Sequence, residues 1–444
     1  MTKVLPLVSR RRLLRASVGA PLLALPYAAP AIGGNKPLDG ITLNVSCWSS
    51  PYPVYLTDYI KEFEELTGAK VNYSTPSFPI YNQRMDLELS TKSAAYDVVN
   101  ITFIFSGRWI GAGWFTPIDE YVAATPKEWG TDDFASGSVV PFKDAKGRLY
   151  GIPWIADVMM AGSSRFDLFQ QASLDLPKTF DEVPVAMKAV HNRDGIPAFA
   201  AENHYGWDWI SWLHGFGGDV FRAPPDDLMP VLDSPEAIAA ADYFATLMRN
   251  YGPEGVVTMT YDQLVTALKA GRVNYSGTNQ AFLVQMGNKD SKVGSTNKIS
   301  MFPSGPKGSF PQVAAHAWGI PVGSKQKDAA WEFIKWSMSR DMVRRMGKEH
   351  AYTSITRNSV IAEPEFKERS MINGTDVAAI YKATLERGGA GYMKYRTVPI
   401  YPQVDKQIDI ALSSIISGQA SAKDAMKTAQ ANSITAIKRS GIKL

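Results

Sequence analysis

The stretch Gly151-Ile-Pro-Trp154-Ile-Ala-Asp157 combines the residue types most able to hold a small polar molecule. Gly151 and Pro153 interrupt regular structure, and a broad indole and a carboxylate follow directly on that break. An aromatic face beside a carboxylate on irregular backbone suits a ligand with apolar faces and hydroxyl edges, which describes a sugar. The bland alternative is a buried turn with a core tryptophan and a capped aspartate. Similar chemistry recurs in Tyr205-Gly-Trp207-Asp-Trp209-Ile-Ser-Trp212, which runs on to Gly217-Gly218-Asp219. Trp209, Trp212 and Leu213 share one helical face, the face of a core. Trp207 stands at the helix start, where a side chain looks into a cleft, and Asp219 is a second polar contact.

Other site chemistry has less support. Five scattered histidines and one cysteine give no metal-ligand spacing, and no cofactor is expected. Pro303-Ser-Gly-Pro306 reads as a turn, since no Lys-Ser/Thr helix start follows it. His204 and His214 read as polar fill beside the aromatic segment. Glycoside hydrolysis needs two carboxylates about 5–10 Å apart, for which Asp157 with Asp219 or Glu202 are available. Their spacing does not select them from 43 acidic residues. Arg357 and Arg396 are candidates for fixing a ligand's orientation, or an anionic group, through a fork of donors. For each the alternative is an ion pair that serves the fold.

The elements that must position these residues follow from periodicity. Ile41-Thr-Leu-Asn-Val-Ser46 alternates as a strand, Leu56, Tyr59, Ile60 and Phe63 stripe a helix, and Gly68 stops it. Lys70–Ser74 is a second strand, Tyr81, Met85 and Leu89 mark a second helix, and Asp97–Ile101 a third strand. This alternation predicts an α/β protein with a parallel sheet, whose ligands sit beyond the carboxyl ends of the strands. That argument places Trp48 and Ser106 at the site. Thr179 with Glu182 predicts a capping box, and Ser234-Pro-Glu another helix start. Arg272–Ser276 reads as a strand followed by a hydrogen-bonding loop, Gly277-Thr278-Asn-Gln280. Residues 287–299 read as an exposed connection. Phe310–Pro321 reads as a second crossing strand and Tyr352–Asn358 as a third crossing. Thr278, and Tyr395 in a late proline-containing loop, are further contacts of the same kind.

The first residues differ in kind. A basic run after Ser9, an apolar run from Ala20 to Leu25 and Ala29-Pro-Ala31 form an export signal at 1–31, with adjacent arginines of twin-arginine type. The apolar run is far shorter than the ~20 residues of a spanning helix. Residues 1–31 hold five basic and no acidic residues, so the rest has 42 basic against 43 acidic side chains. The basic balance belongs to the signal, and no nucleic-acid partner is expected. The lone Cys47 allows no internal disulfide, so an exported chain must rely on its core. A monomer is expected.

Several segments together resemble the bacterial extracellular solute-binding proteins of the maltose-binding protein type, which serve ABC importers for carbohydrates. They include Tyr96-Asp-Val-Val99, Gly113–Glu120, Tyr150-Gly-Ile-Pro153 with Asp157, Phe166–Phe169 with Pro177–Glu182, and Gly217-Gly-Asp219. Ala267–Gly271, Trp318-Gly-Ile-Pro with Ala329–Ile334, and Gly418–Ser421 complete the series. The resemblance implies a two-lobed periplasmic binding protein fold, each lobe a mainly parallel sheet flanked by helices, joined by three crossover segments. The lobes would be 32–155 plus 314–350, and 156–313 plus 351–444. It also implies a periplasmic location, membrane permease subunits as partners, and binding without catalysis. Matched position by position, Trp154, Asp157, Trp207, Gly217, Gly218, Asp219, Trp318 and Arg357 would line the cleft. One departure is visible: Ser163 and Ser164 replace tyrosines usual in the family, which implies a smaller, more hydrophilic wall.

Overall fold

The computed structural model describes residues 36–288, 291–442 and 444, so the signal expected at 1–31 lies outside the described residues. From there the alternation of apolar residues becomes a sheet. β1 (Thr42–Ser46) buries Leu43 and Val45 and pairs in parallel with β2 (Lys70–Ser74) and β3 (Val98–Thr102). The crossover to β2 is a run of short helices from Pro51 to Thr67, stopped by Gly68 at φ +84°, a conformation that glycine adopts without strain. The next crossover is Phe78–Ser90, whose buried residues are Tyr81, Met85 and Leu89, one helical stripe.

The later strands are β4 (Gly151–Ser163), the hairpin β5 (Phe221–Ala223) and β6 (Asp227–Pro230), then β7 (Tyr275–Asn279), β8 (Lys298–Ser300) and β9 (Val313–Gly319). The main sheet runs β2-β1-β3-β9-β4-β7, with β8 also on β4. β4 carries the crossing. From Gly151 to Val158 it pairs antiparallel with β9, which pairs antiparallel with β3 on its other edge. From Met159 to Ser163 it pairs with β7 instead, and Ala161–Ser163 with β8. Parallel pairing is thus concentrated in β1–β3. Strands that cross in opposite directions must meet antiparallel, and beyond them parallel contact among the described residues is reduced to the bridges Thr179–Ser304 and Phe199–Tyr275. The third crossing lies along β4: Ala156 donates its amide to the Ser354 carbonyl (3.3 Å) and the Thr356 hydroxyl donates to the Pro153 carbonyl (2.8 Å). The single hydroxyl proton of Tyr381 is shared between both crossings, with Ala156 O at 2.7 Å and Ile355 O at 2.8 Å.

Several local expectations change. The strand expected at 272–276 is β7 at Tyr275–Asn279, so Thr278 is a strand residue paired with Met160, and the helix Gln280–Gln285 replaces a loop. The register is set by β4, whose Ser163 donates to the Asn274 side chain (2.6 Å) just before the strand. Ser163 and Ser164 form no hydrophilic wall: both are fully buried, and Ser164 donates to Val273 O (2.6 Å). The expected capping box is half made. Thr179 accepts from the Glu182 amide (3.3 Å), but the Glu182 carboxylate accepts from Lys178, not Thr179 (2.7 Å). The 287–299 connection is not wholly exposed, since Asn297 is buried and its side-chain amide donates to Val293 O (2.8 Å). Cys47 is buried and free.

Candidate functional site

The crossing strands gather aromatic side chains from every side. On β9, His316 and Trp318 are two residues apart and so share one face. The His316 ring lies 5.2 Å from Trp48, which follows β1, and 5.6 Å from Trp154 on β4. Phe103, at the end of β3, meets it edge-on at 5.6 Å, and Phe78 at 6.4 Å. Burial pushes the His316 imidazole down to about 3, so it is neutral, and its Nδ1 has no hydrogen-bond partner. The indole N–H of Trp48 is also buried without a partner, whereas Trp154 donates to the Asn100 side chain (3.1 Å).

Asp157 sits on β4 opposite Ala314 of β9, one residue before the strand changes partner. Burial raises its carboxyl above the ordinary range, while hydrogen bonds from Ser354 and Asn279 act in the opposite direction. Ser354 also accepts from the Gln280 amide (3.1 Å), whose oxygen accepts from the Val158 N–H (3.2 Å). The carboxylate is therefore held by groups from β7, the following helix and the third crossing. Tyr261 lies close enough to Asp157 and Glu202 to feel both charges.

The facing wall comes from later in the chain. Trp207 is 6% exposed, and its ring lies 6.1 Å from that of Phe103. The guanidinium of Arg396 lies over both, 4.6 Å from Phe103 and 5.4 Å from Trp207. Tyr395 donates its hydroxyl to Gln312 just before β9 (2.7 Å) and accepts from Arg396 Nε (3.0 Å). Behind Trp207 lies an acidic group. Asp208 accepts from the Glu202 amide (2.8 Å), and burial raises both carboxyls. His204 pairs with Asp405 (3.2 Å), and Asp409 accepts from the Tyr205 amide (2.8 Å).

The structure thus brings Trp48, Trp154, Asp157, Trp207 and Tyr395 to the crossing, with Thr278 on the adjoining β7, its hydroxyl buried and unpartnered. Trp318 is further inside, between Trp154 (5.9 Å) and Phe333 (6.3 Å), and fully buried. Ser106 is fully buried and donates to Phe103 O (3.2 Å). Gly217, Gly218 and Asp219 line a cavity of about 330 Å³ with Lys307, Phe310, Tyr392 and Tyr395, the last of which it shares with the crossing. Asp157 does not line that cavity, and Asp219 instead faces His214 (3.2 Å). Arg357, expected at the cleft, is placed elsewhere. It is fully buried, donates to Met338 O (2.7 Å) and Gly130 O (2.9 Å), pairs with Asp133 (3.2 Å), and stacks on Phe134 and Trp129.

Sequence reasoning did not single out His316, Gln312 or Phe103, and it weighed Arg396 both as a holder of an anionic ligand group and as a surface or structural ion pair. The available signal was His316 itself, the one polar side chain in the apolar strand Val313-Ala-Ala-His-Ala-Trp-Gly319. Among the described residues no helix is long and apolar enough to cross a membrane.

Comparison with known proteins agrees with this architecture. The mannitol-binding protein of Pseudomonas aeruginosa is 22% identical over 96% of this chain and 98% of its own. The erythritol/L-threitol-binding protein of Mycolicibacterium smegmatis is 22% identical, over 80% of this chain and 82% of its own. In fold, an ABC transporter solute-binding protein from Agrobacterium radiobacter in complex with ribitol superposes with a TM-score of 0.78 at 23% identity, covering 90% of this chain and 99% of that one. One from Agrobacterium vitis with bound D-mannitol gives 0.74 at 21% identity, covering 90% and 99%. The fold is accordingly the two-lobed α/β fold of binding proteins, with β4, β9 and residues 354–356 as its crossings. The family described as bacterial extracellular solute-binding protein matches residues 49–343, and the chain belongs to that family.

Proposed function

We propose that this protein is the ligand-binding component of an ABC importer and captures a short polyol, a monosaccharide or a derivative of one. The observation that carries this reading is the set of buried polar atoms without partners at the crossing. Trp48 Nε1, Thr278 Oγ1, Gln312 Nε2 and His316 Nδ1 are all of this kind. An unsatisfied buried group costs about 1–3 kcal/mol, and ligand hydroxyls would offset that cost. The surrounding rings supply apolar faces, each worth about 0.5–1.5 kcal/mol in stacking. The relatives named for mannitol and erythritol support a ligand of this class.

The lobes are 32–155 with 314–350, and 156–313 with 351–444, a division supported by the partner change of β4 after Val158. Export through the signal at 1–31 delivers the protein to the periplasm as a monomer, where it meets permease subunits. Binding is reversible and not followed by chemistry. Calorimetry with ribitol, D-mannitol and maltotriose tests this, together with a reducing-sugar assay. Micromolar binding of a polyol without turnover is expected, and failure of every carbohydrate to bind would sink the reading.

A further inference from the structure

The two deeply buried arginines differ in one respect. Arg357 has the carboxylate of Asp133 beside it at 3.2 Å. Arg396 is 3% exposed, and among the described residues no carboxylate pairs with it. Its partners are neutral: the Tyr395 hydroxyl (3.0 Å), the Val313 carbonyl (2.6 Å) and the Gln312 side-chain oxygen. A buried cation with only neutral partners is costly unless a counter-charge reaches it. These contacts use three of the five guanidinium N–H groups and leave one on each terminal nitrogen.

Gln312 points the same way. Its oxygen accepts from both Tyr395 and Arg396, which leaves the amide nitrogen free, and that nitrogen is buried without a partner. Phe103 and Trp207 cover the guanidinium and exclude water. Unused donors are therefore gathered at the Arg396 end of the crossing, and among the described residues no acidic side chain is hydrogen-bonded to Arg396 or Gln312.

Resting on the function proposed above, we propose that Arg396, with the Gln312 amide, binds the acidic group of a sugar acid or acidic polyol derivative, and that this ligand is preferred over neutral polyols. The two free N–H groups on the terminal nitrogens each meet one oxygen of the anion. The hydroxylated remainder lies against Trp48, Trp154 and Asp157.

The test is calorimetry of the whole exported chain at fixed ionic strength with D-gluconate, D-glucuronate, glucose 6-phosphate and D-mannitol. At least one acid should bind about tenfold or more tighter than mannitol, and the arm that does so identifies a carboxylate or a phosphate ester. Arg396→Gln should cut that preference, read as the ratio of acid to mannitol affinity within the same variant, to about twofold or less. If Arg396→Gln fails to fold by circular dichroism, Arg396→Lys, which keeps the charge and loses the planar fork, should lose most of the preference. Mannitol binding as tightly as every acid, or a preference that survives in the folded variant, overturns the assignment. If mannitol binds and no acid does, this inference falls and the proposed function stands. If nothing binds, both fall.

Discussion

Ser354 donates its hydroxyl proton to the carboxylate of Asp157, tying the third crossing to the first at the point where β4 changes partners. Because burial raises the Asp157 carboxyl, keeping it ionised at neutral pH costs folding free energy. Asp157→Asn keeps the shape and an acceptor for Ser354. It should weaken ligand binding by about tenfold or more and change unfolding free energy by less than about 1 kcal/mol. Asp157→Ala strands Ser354 and Asn279 and should cost about 1–2 kcal/mol as well. Unchanged affinity in the Asn variant would remove Asp157 from the site.

Arg357 answers to a different measurement. Its guanidinium joins Met338, Gly130 and Asp133, so Arg357→Met removes the donor to two carbonyls and the cation beside Asp133, which keeps only its hydrogen bonds from Ser359. Urea unfolding should show a loss of about 3 kcal/mol or more, with ligand affinity unchanged within about twofold. A large affinity change at native stability would return Arg357 to the cleft.

The acidic group behind Trp207 predicts how stability follows pH. Asp409 is pushed up to about 6, and Glu202 and Asp208 are also raised, all by burial first. Unfolded carboxyls lose their protons near pH 4, so the folded state binds more protons from there to about pH 6–7 and stability falls across that window. Burial lowers the His204 imidazole, but the Asp405 hydrogen bond and the charges of Asp405, Asp409 and Glu202 together raise it to about 9. Its contribution is complete below about 6.5 and lost as pH rises through 9. With 43% of that side chain exposed, the carboxyls dominate. Scanning calorimetry should show a midpoint that falls from pH 5 to pH 9, less steeply in Glu202→Gln. A flat or rising midpoint contradicts this account.

Gly107 lies where a side chain would strike the Thr397 carbonyl, in the turn that carries Tyr395 and Arg396. Gly107→Val should wedge that turn away from the helix Ser106–Gly111, at a cost of about 1–3 kcal/mol. Ligand affinity should drop while far-ultraviolet circular dichroism is retained. Wild-type affinity in this variant would show that the approach plays no part in binding.

Much of the frame was legible because periodicity is local. The stripes Tyr81–Met85–Leu89 and the alternation of β1 were read from neighbours along the chain, and they are buried as read. The break read from Gly151 and Pro153 is a register shift between Pro153 and Ile155 inside the continuous strand β4, beside Trp154 and Asp157. The stop at Gly68 and the helix start at Ser234, whose hydroxyl accepts from the Ala237 amide (3.1 Å), are also sequence-local.

The amino-acid sequence by itself therefore determined the fold class. Only the tertiary structure decided which charged groups face it. Asp133 and Arg357 are 224 residues apart, and no spacing rule links them. Nothing local to Arg396 shows that its partners lie at Gln312 and Val313 or that Phe103 and Trp207 cover it. Thr278 entered β7 because β4 set its register, and His316 became central because rings from four other segments closed around it. A buried charge or an unpaired donor is defined by what surrounds it in space, and those surroundings arise only when distant segments pack.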